Sequence, residues 1–117
     1  MLEWQTTLEW TYVAPGLYGN GVYTTQDLHK GFEWLMIIDK DPKSENKTEN
    51  QYVWLPNMGT INYSHPNLPN MKLIRGKDGN IFGHILVPVK EDEELFYDHI
   101  DLITVLKINN PKGAWTI

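Results

Sequence analysis

"EDEELFYDHIDLITVLKI", residues 91–108, decides what kind of fold this chain can have. Its first half is acidic, its second half is rich in Ile, Leu, Thr and Val, and Tyr97 and His99 stand near the join. β-branched and aromatic side chains suit a pleated backbone and lose rotamer freedom in a helix. On that content a helix over Asp92–Leu106 is rejected. The stretch reads as an acidic approach to a strand, with "DLITVLKI" as the last strong strand. The C-terminal part of the chain is then expected to join a sheet.

The upstream segments agree with that reading. "LEWQTTLEWTYV" reads as strand, break, strand, and "VAPGLYGNGVYTT" as a turn-rich passage before a short strand at Val22–Thr24. "FEWLMIID", Phe32–Asp39, has the apolar middle of a buried strand, and "QYVWLP" is a short strand or turn. "KDPKSENKTEN", residues 40–50, is polar and reads as an exposed loop. "MKLIRGKDGNIFGHILVPV" reads as a hairpin turning at Lys77–Asn80, because Asp-Gly accepts positive φ cheaply. The chain is expected to be mainly β. No internal repeat or linker divides residues 1–117, a length usual for one domain.

Composition narrows the function classes. There is no cysteine, which removes disulfides, thiolate metal sites and cysteine nucleophiles. The four histidines show no H-x-x-x-H spacing, so no metal site is expected. The net charge of −5 lacks the basic footprint of a nucleic-acid binder, and it suits a cationic partner such as a lysine-rich peptide. No apolar run approaches the roughly 20 residues that span a bilayer, so no membrane partner is expected. The acidic N-terminus reads as no signal peptide, which leaves the glycosylation patterns at Asn46 and Asn62 without a route to use and makes a cytoplasmic location the expectation.

Three short motifs stand out. Gly19-Asn20-Gly21 precedes Val22-Tyr23, Asn62-Tyr63-Ser64 leads on to Pro69-Asn70, and "EELFYDH" covers Glu93–His99. Alone, the first is a tight turn, the second an asparagine- and proline-rich surface loop, and the third an edge strand with charged flanks. A dinucleotide-binding fold needs a third glycine and a following helix, and neither is present after Gly21.

In this order, with Lys30-Gly31 between the first and second, the motifs resemble those of the SET-domain protein lysine methyltransferases. Those proteins carry G-x-G-V-F-A, then N-H-S…P-N, then E-E-L-x-Y-D-Y; the resemblance runs from about Gly16 to Asp101. It implies a SET-like fold of small antiparallel sheets, with the C-terminal segment threaded through a loop as a pseudo-knot, against the usual rule. It also implies S-adenosylmethionine as cofactor and a lysine-bearing protein or peptide as substrate, meeting through a narrow channel. Gly19, Asn20 and Gly21 would approach the cofactor by their backbone, and Asn62 and Tyr63 would lie beside it. Tyr63 replaces the histidine those proteins usually have there.

Methyl transfer to lysine needs a neutral amine, and deprotonating an exposed lysine at pH 7 costs about 4–5 kcal/mol. A desolvating aromatic channel lowers that cost, and alignment supplies much of the remaining acceleration. Tyr23, Tyr52, Trp54 and Phe96 are the candidate channel walls, with core packing as the alternative for each. Tyr97 and His99 are the catalytic candidates. Here the chain departs from the pattern, because His99 stands where the resemblance implies the catalytic tyrosine. An imidazole is shorter than a phenol and can act as a base or hydrogen-bond partner.

The expected function is lysine methylation by a short viral or prokaryotic form of this family, in the host cytoplasm or nucleus if viral. A homodimer formed through a sheet edge or the tail is compatible with the sequence. The alternatives are a catalytically silent SET-like module that binds a peptide or protein, and an unrelated all-β structural or binding protein.

Overall fold

A computed structural model of the protein describes residues 8–16, 19–44, 49–63 and 68–106. The first expected strand, in residues 2–6, therefore lies outside the described residues, as does Ser64. Eight strands and one α-helix are present among those described. They are β1 (Thr11–Gly16), β2 (Gly19–Thr24), β3 (Glu33–Asp39), β4 (Tyr52–Trp54), β5 (Asn62–Tyr63), β6 (Met71–Arg75), β7 (Ile81–Ile85), β8 (Phe96–Tyr97) and α1 (His99–Leu106). Leu8–Trp10 forms a 3₁₀ turn where the second strand was expected to begin.

β1 and β2 form an antiparallel hairpin in which Gly16 faces Gly19. Pro15 is tolerated because β1 pairs on one side only, so the missing N–H interrupts no second ladder. The central sheet is antiparallel throughout, in the order β4-β3-β7-β6. Its β6–β7 hairpin turns where Asp78-Gly79 indicates, with Gly79 at φ 88°. A register shift between Leu35 and Ile37 sets Met36 out of step, and the Met36 carbonyl accepts the Leu55 N–H at 2.9 Å.

Alternation decides which face of this sheet is buried. Met71 and Leu73 on β6, Ile81 and Ile85 on β7, and Trp34 and Ile37 on β3 are all 3% exposed or less. Gly83 sits opposite Trp34, and a Cβ there would lie 2.5 Å from the indole Cζ2, so the missing side chain admits the ring. Trp10 closes over Trp34 edge to face at 5.1 Å.

β5 and β8 form a third, two-stranded sheet that is parallel, with Asn62 beside Phe96 and Tyr63 beside Tyr97. Parallel neighbours need a long crossover, and here the connection contains the whole β6–β7 hairpin. Asn70 secures it. Its Nδ2 donates to the Glu94 carbonyl at 2.8 Å and its Oδ1 accepts the Phe96 N–H at 2.9 Å, so the side chain mimics a peptide group.

The C-terminal strand expected from "DLITVLKI" is a helix instead. Asp98 caps it: its Oδ1 accepts the Ile100 N–H at 3.0 Å, satisfying a donor that the first turn leaves unpaired. Leu102, Val105 and Leu106, spaced i, i+3, i+4, bury one face. The propensity cost of each β-branched residue is only a few tenths of a kcal/mol, against about 1.5–3 kcal/mol for burying each large apolar side chain. Packing wins. Asp101 Oδ2 then accepts the Leu73 N–H at 2.7 Å, which fastens α1 to the edge strand β6 and covers that edge.

Candidate functional site

The three motifs meet at one carboxylate. Residues 92–95 run antiparallel beside β2, through Leu95 N–H to the Val22 carbonyl at 2.8 Å and a bridge between Tyr23 and Glu94. That places the Glu94 side chain over Gly21. A Cβ on Gly21 would lie 2.6 Å from Glu94 Cδ and 3.1 Å from Asn62 Nδ2. A side chain at Gly21 would displace the Glu94 carboxylate, which already occupies that volume.

Asn62, at the start of β5, reaches into the same junction. Its Nδ2 donates to Glu94 Oε2 at 2.7 Å and to the Asn20 carbonyl at 3.1 Å. Both amide hydrogens are thus committed within the protein. The opposite rotamer of the amide would set Oδ1 against two acceptors, so the hydrogen-bond partners fix the orientation. Asn62 Oδ1 has no partner among the described residues. Tyr23 lies beside Glu94 as well. Partial desolvation, and then the negative charge of Glu94, hold its phenol above the usual tyrosine range.

Gly19 differs from Gly21. It has φ 84°, and a Cβ built on it would meet nothing within 4 Å. Its requirement is backbone conformation, at an exposed bend whose neighbour Asn20 is also exposed. The hairpin end therefore offers open backbone, which suits the approach of a ligand.

The third motif supplies an aromatic cluster on the other side of Asn62. Tyr97 is 3% exposed on β8, and its ring meets Tyr63 edge to face at 5.5 Å. Burial first, and then the neighbouring Tyr63, push the Tyr97 phenol far up. Its hydroxyl has no hydrogen-bond partner among the described residues. The Tyr63 phenol is pushed up to about 12 by burial. His99 occupies the first turn of α1, exposed, with its ring 5.3 Å from Tyr63 and tilted by 45°. Tyr63 stands between the two catalytic candidates.

The four candidate wall residues are placed differently. Tyr23 lies at the Glu94 junction, stacked on Tyr12 at 5.6 Å. Phe96 is half-buried beside Asn62 on β8. Tyr52 and Trp54 lie on β4, at the far edge of the central sheet from β6. The Tyr52 hydroxyl donates to the Leu106 carbonyl at 2.7 Å and accepts from Arg75 Nη1 at 3.1 Å. It is thus engaged at the C-terminal end of α1, while His99 is at the N-terminal end, about 10 Å away along the helix axis. Trp54 packs against the core.

Glu94 and Asn70 belong to the site's framework although no site role followed from the motifs for either. The only signal for them was membership of the second and third motifs. What each side chain touches depends on the fold.

No protein-family model matches the chain, and no curated protein matches its sequence. Solved structures do match. A Plasmodium falciparum protein provisionally described as a histone methyltransferase superposes with a TM-score of 0.54 at 14% identity, over 76% of this chain and 91% of that one. The methyltransferase domain of human PR domain-containing protein 2 superposes with a TM-score of 0.52, also at 14% identity, over 83% of this chain and 82% of that one. At that identity the likeness is one of architecture alone: the chain has a mainly β, SET-like fold.

Proposed function

We infer that this protein uses S-adenosylmethionine to methylate a lysine side chain of a protein or peptide. The observation that carries this reading is the junction of Gly21, Asn62 and Glu94. It joins the three motifs whose order resembles the SET methyltransferases, within a fold shared with solved methyltransferase domains. The residues present fit the cofactor. Gly19 is exposed with no side chain over its backbone, and Asn62 Oδ1 is an uncommitted acceptor that would suit an ammonium group.

When bound, the cofactor supplies an electrophilic methyl group on a sulfonium. Gly19 to Gly21, Asn62 and Tyr63 would hold it. Tyr97, Tyr63 and Phe96 would exclude water from the incoming amine, which favours its neutral, nucleophilic form. On this reading the Tyr97 hydroxyl would accept a hydrogen bond from that amine, and the exposed His99 would take up a proton released toward solvent. A threaded C-terminal segment, forming a pseudo-knot, belongs to this reading. The parallel β5–β8 pair and the Asn70 clamp on Phe96 support it. The net charge of −5 favours a lysine-rich substrate.

Calorimetry with S-adenosylmethionine, followed by mass spectrometry of a lysine-peptide library, tests the reading. Cofactor binding together with a gain of methyl mass on lysine is the expected result. Absence of binding at millimolar cofactor defeats it.

A second reading is favoured by one observation: His99 is an exposed imidazole at the position where the motif order implies a catalytic phenol. On that reading the protein binds a peptide or protein without turnover. Cofactor binding with no methyl transfer to any library peptide selects it.

A further inference from the structure

Glu94 is half-buried and held by neutral groups alone. Asn62 Nδ2 donates to it at 2.7 Å, and the Tyr23 phenol lies beside it. No lysine, arginine or histidine among the described residues pairs with it. The fully buried Asp39, by contrast, is paired with Arg75 at 2.6 Å. The space above Gly21 is shaped around this unmatched charge, since any side chain there would displace it.

A partly desolvated carboxylate without a cation leaves a negative potential at the hairpin end, where Coulomb interactions are several times stronger than in bulk water. Glu94 also fixes the polarity of its neighbour. By taking an Asn62 amide hydrogen, with the Asn20 carbonyl taking another, it leaves Asn62 Oδ1 directed away from both. Two features at one place, a negative charge and a free acceptor, fit a ligand that is positively charged and carries N–H donors.

We propose that Glu94 is a positioning and specificity-determining residue that makes this loop select a cationic ligand over its neutral counterpart. This rests on the reading of the loop as a cofactor site. There the relevant pair is S-adenosylmethionine, which carries a sulfonium, and S-adenosylhomocysteine, the thioether that differs by the methyl group and one unit of charge. Through Glu94 the charged cofactor is retained and the neutral product is released.

The test is calorimetry of both compounds, and of uncharged 5′-methylthioadenosine, with the wild type and Glu94→Gln. Glutamine keeps an oxygen that can accept from Asn62, so it removes the charge and spares the orientation. The wild type is expected to bind S-adenosylmethionine about five- to tenfold more tightly than S-adenosylhomocysteine at low salt, and the variant to bring that ratio close to one. A purely structural role for Glu94 would weaken both compounds together and leave the ratio unchanged, which overturns the proposal. So does a wild type that binds the two equally. Should Glu94→Gln fail to fold, the wild-type ratio measured against ionic strength decides. It must shrink as salt screens the charge, and a ratio indifferent to salt overturns the proposal. If the wild type binds none of the three compounds, the cofactor reading fails and this inference fails with it. A bound pair with no charge discrimination sinks the inference alone.

Discussion

The imidazole of His99 lies against the phenol ring of Tyr63, with centroids 5.3 Å apart and planes tilted by 45°. Tyr97 meets the same ring edge to face at 5.5 Å. His99 and Tyr97 thus share one aromatic neighbour, Tyr63. His99→Tyr brings a hydroxyl to the helix N-terminus and is expected to raise methyl transfer to a lysine peptide by about a hundredfold, the low end of what a positioned proton-handling group supplies. His99→Ala should lower it, and Tyr97→Phe should change the number of methyl groups added more than the rate. Mass spectrometry with isotopically labelled cofactor reads all three. An unchanged rate in His99→Ala would assign His99 to packing on Tyr63.

The Tyr63 phenol is held up to about 12, while an unfolded tyrosine ionises near pH 10. Between these values the unfolded chain gives up a proton that the folded chain keeps. Stability is therefore fully present below pH 10 and falls as pH rises toward 12. Urea midpoints measured across this range should decline less steeply for Tyr63→Phe than for the wild type. Parallel curves would mean that the Tyr63 ring is solvated.

Gly19 and Gly21 should fail for different reasons. Gly21→Ala sets a methyl group against Glu94 Cδ and Asn62 Nδ2, which must move apart, at a cost of about 1–3 kcal/mol. Gly19→Ala meets no atom, but it forces a Cβ onto φ 84° at about 1–2 kcal/mol. Thermal denaturation should register both losses. Cofactor calorimetry should separate them, with Gly21→Ala losing most of its affinity because Asn62 and Glu94 are displaced. Equal binding by the two variants would show that the junction is not part of the site.

Much of this arrangement was legible in the sequence, and the gaps have physical causes. The β6–β7 hairpin was clear because Asp78-Gly79 forces its turn, and β3 because its apolar run is bounded by charge. The continuation of β1 through Pro15 was not, since proline is excluded from paired interiors but allowed at an edge. The helix at His99–Leu106 is masked in the sequence by its β-branched composition. Its cap at Asp98 and the i, i+3, i+4 row of Leu102, Val105 and Leu106 were visible, but which face would be buried was not. The motif order brought Gly21, Asn62 and the Glu93–His99 segment to attention, and the fold brings them together. No local pattern could indicate that Glu94 fills the space above Gly21, or that Tyr52 is engaged by Arg75 and the end of α1.

Arg75 fastens the C-terminal end of α1. Its Nη2 donates to Asp39 Oδ2 at 2.6 Å, and its Nη1 donates to the Val105 carbonyl at 2.6 Å and to the Tyr52 hydroxyl at 3.1 Å. The Asp39 side chain is fully buried, so Arg75→Ala removes the guanidinium that lies against a buried carboxylate and is expected to cost about 3–5 kcal/mol in urea denaturation. Arg75→Lys keeps the charge and loses the planar fork that serves three acceptors, and should fall between. The double variant Arg75→Met, Asp39→Leu should recover most of the loss, because no charge is then left buried. A loss below about 1 kcal/mol in Arg75→Ala would mean that Asp39 is held without Arg75 and would remove this clamp from the account of what holds α1 in place.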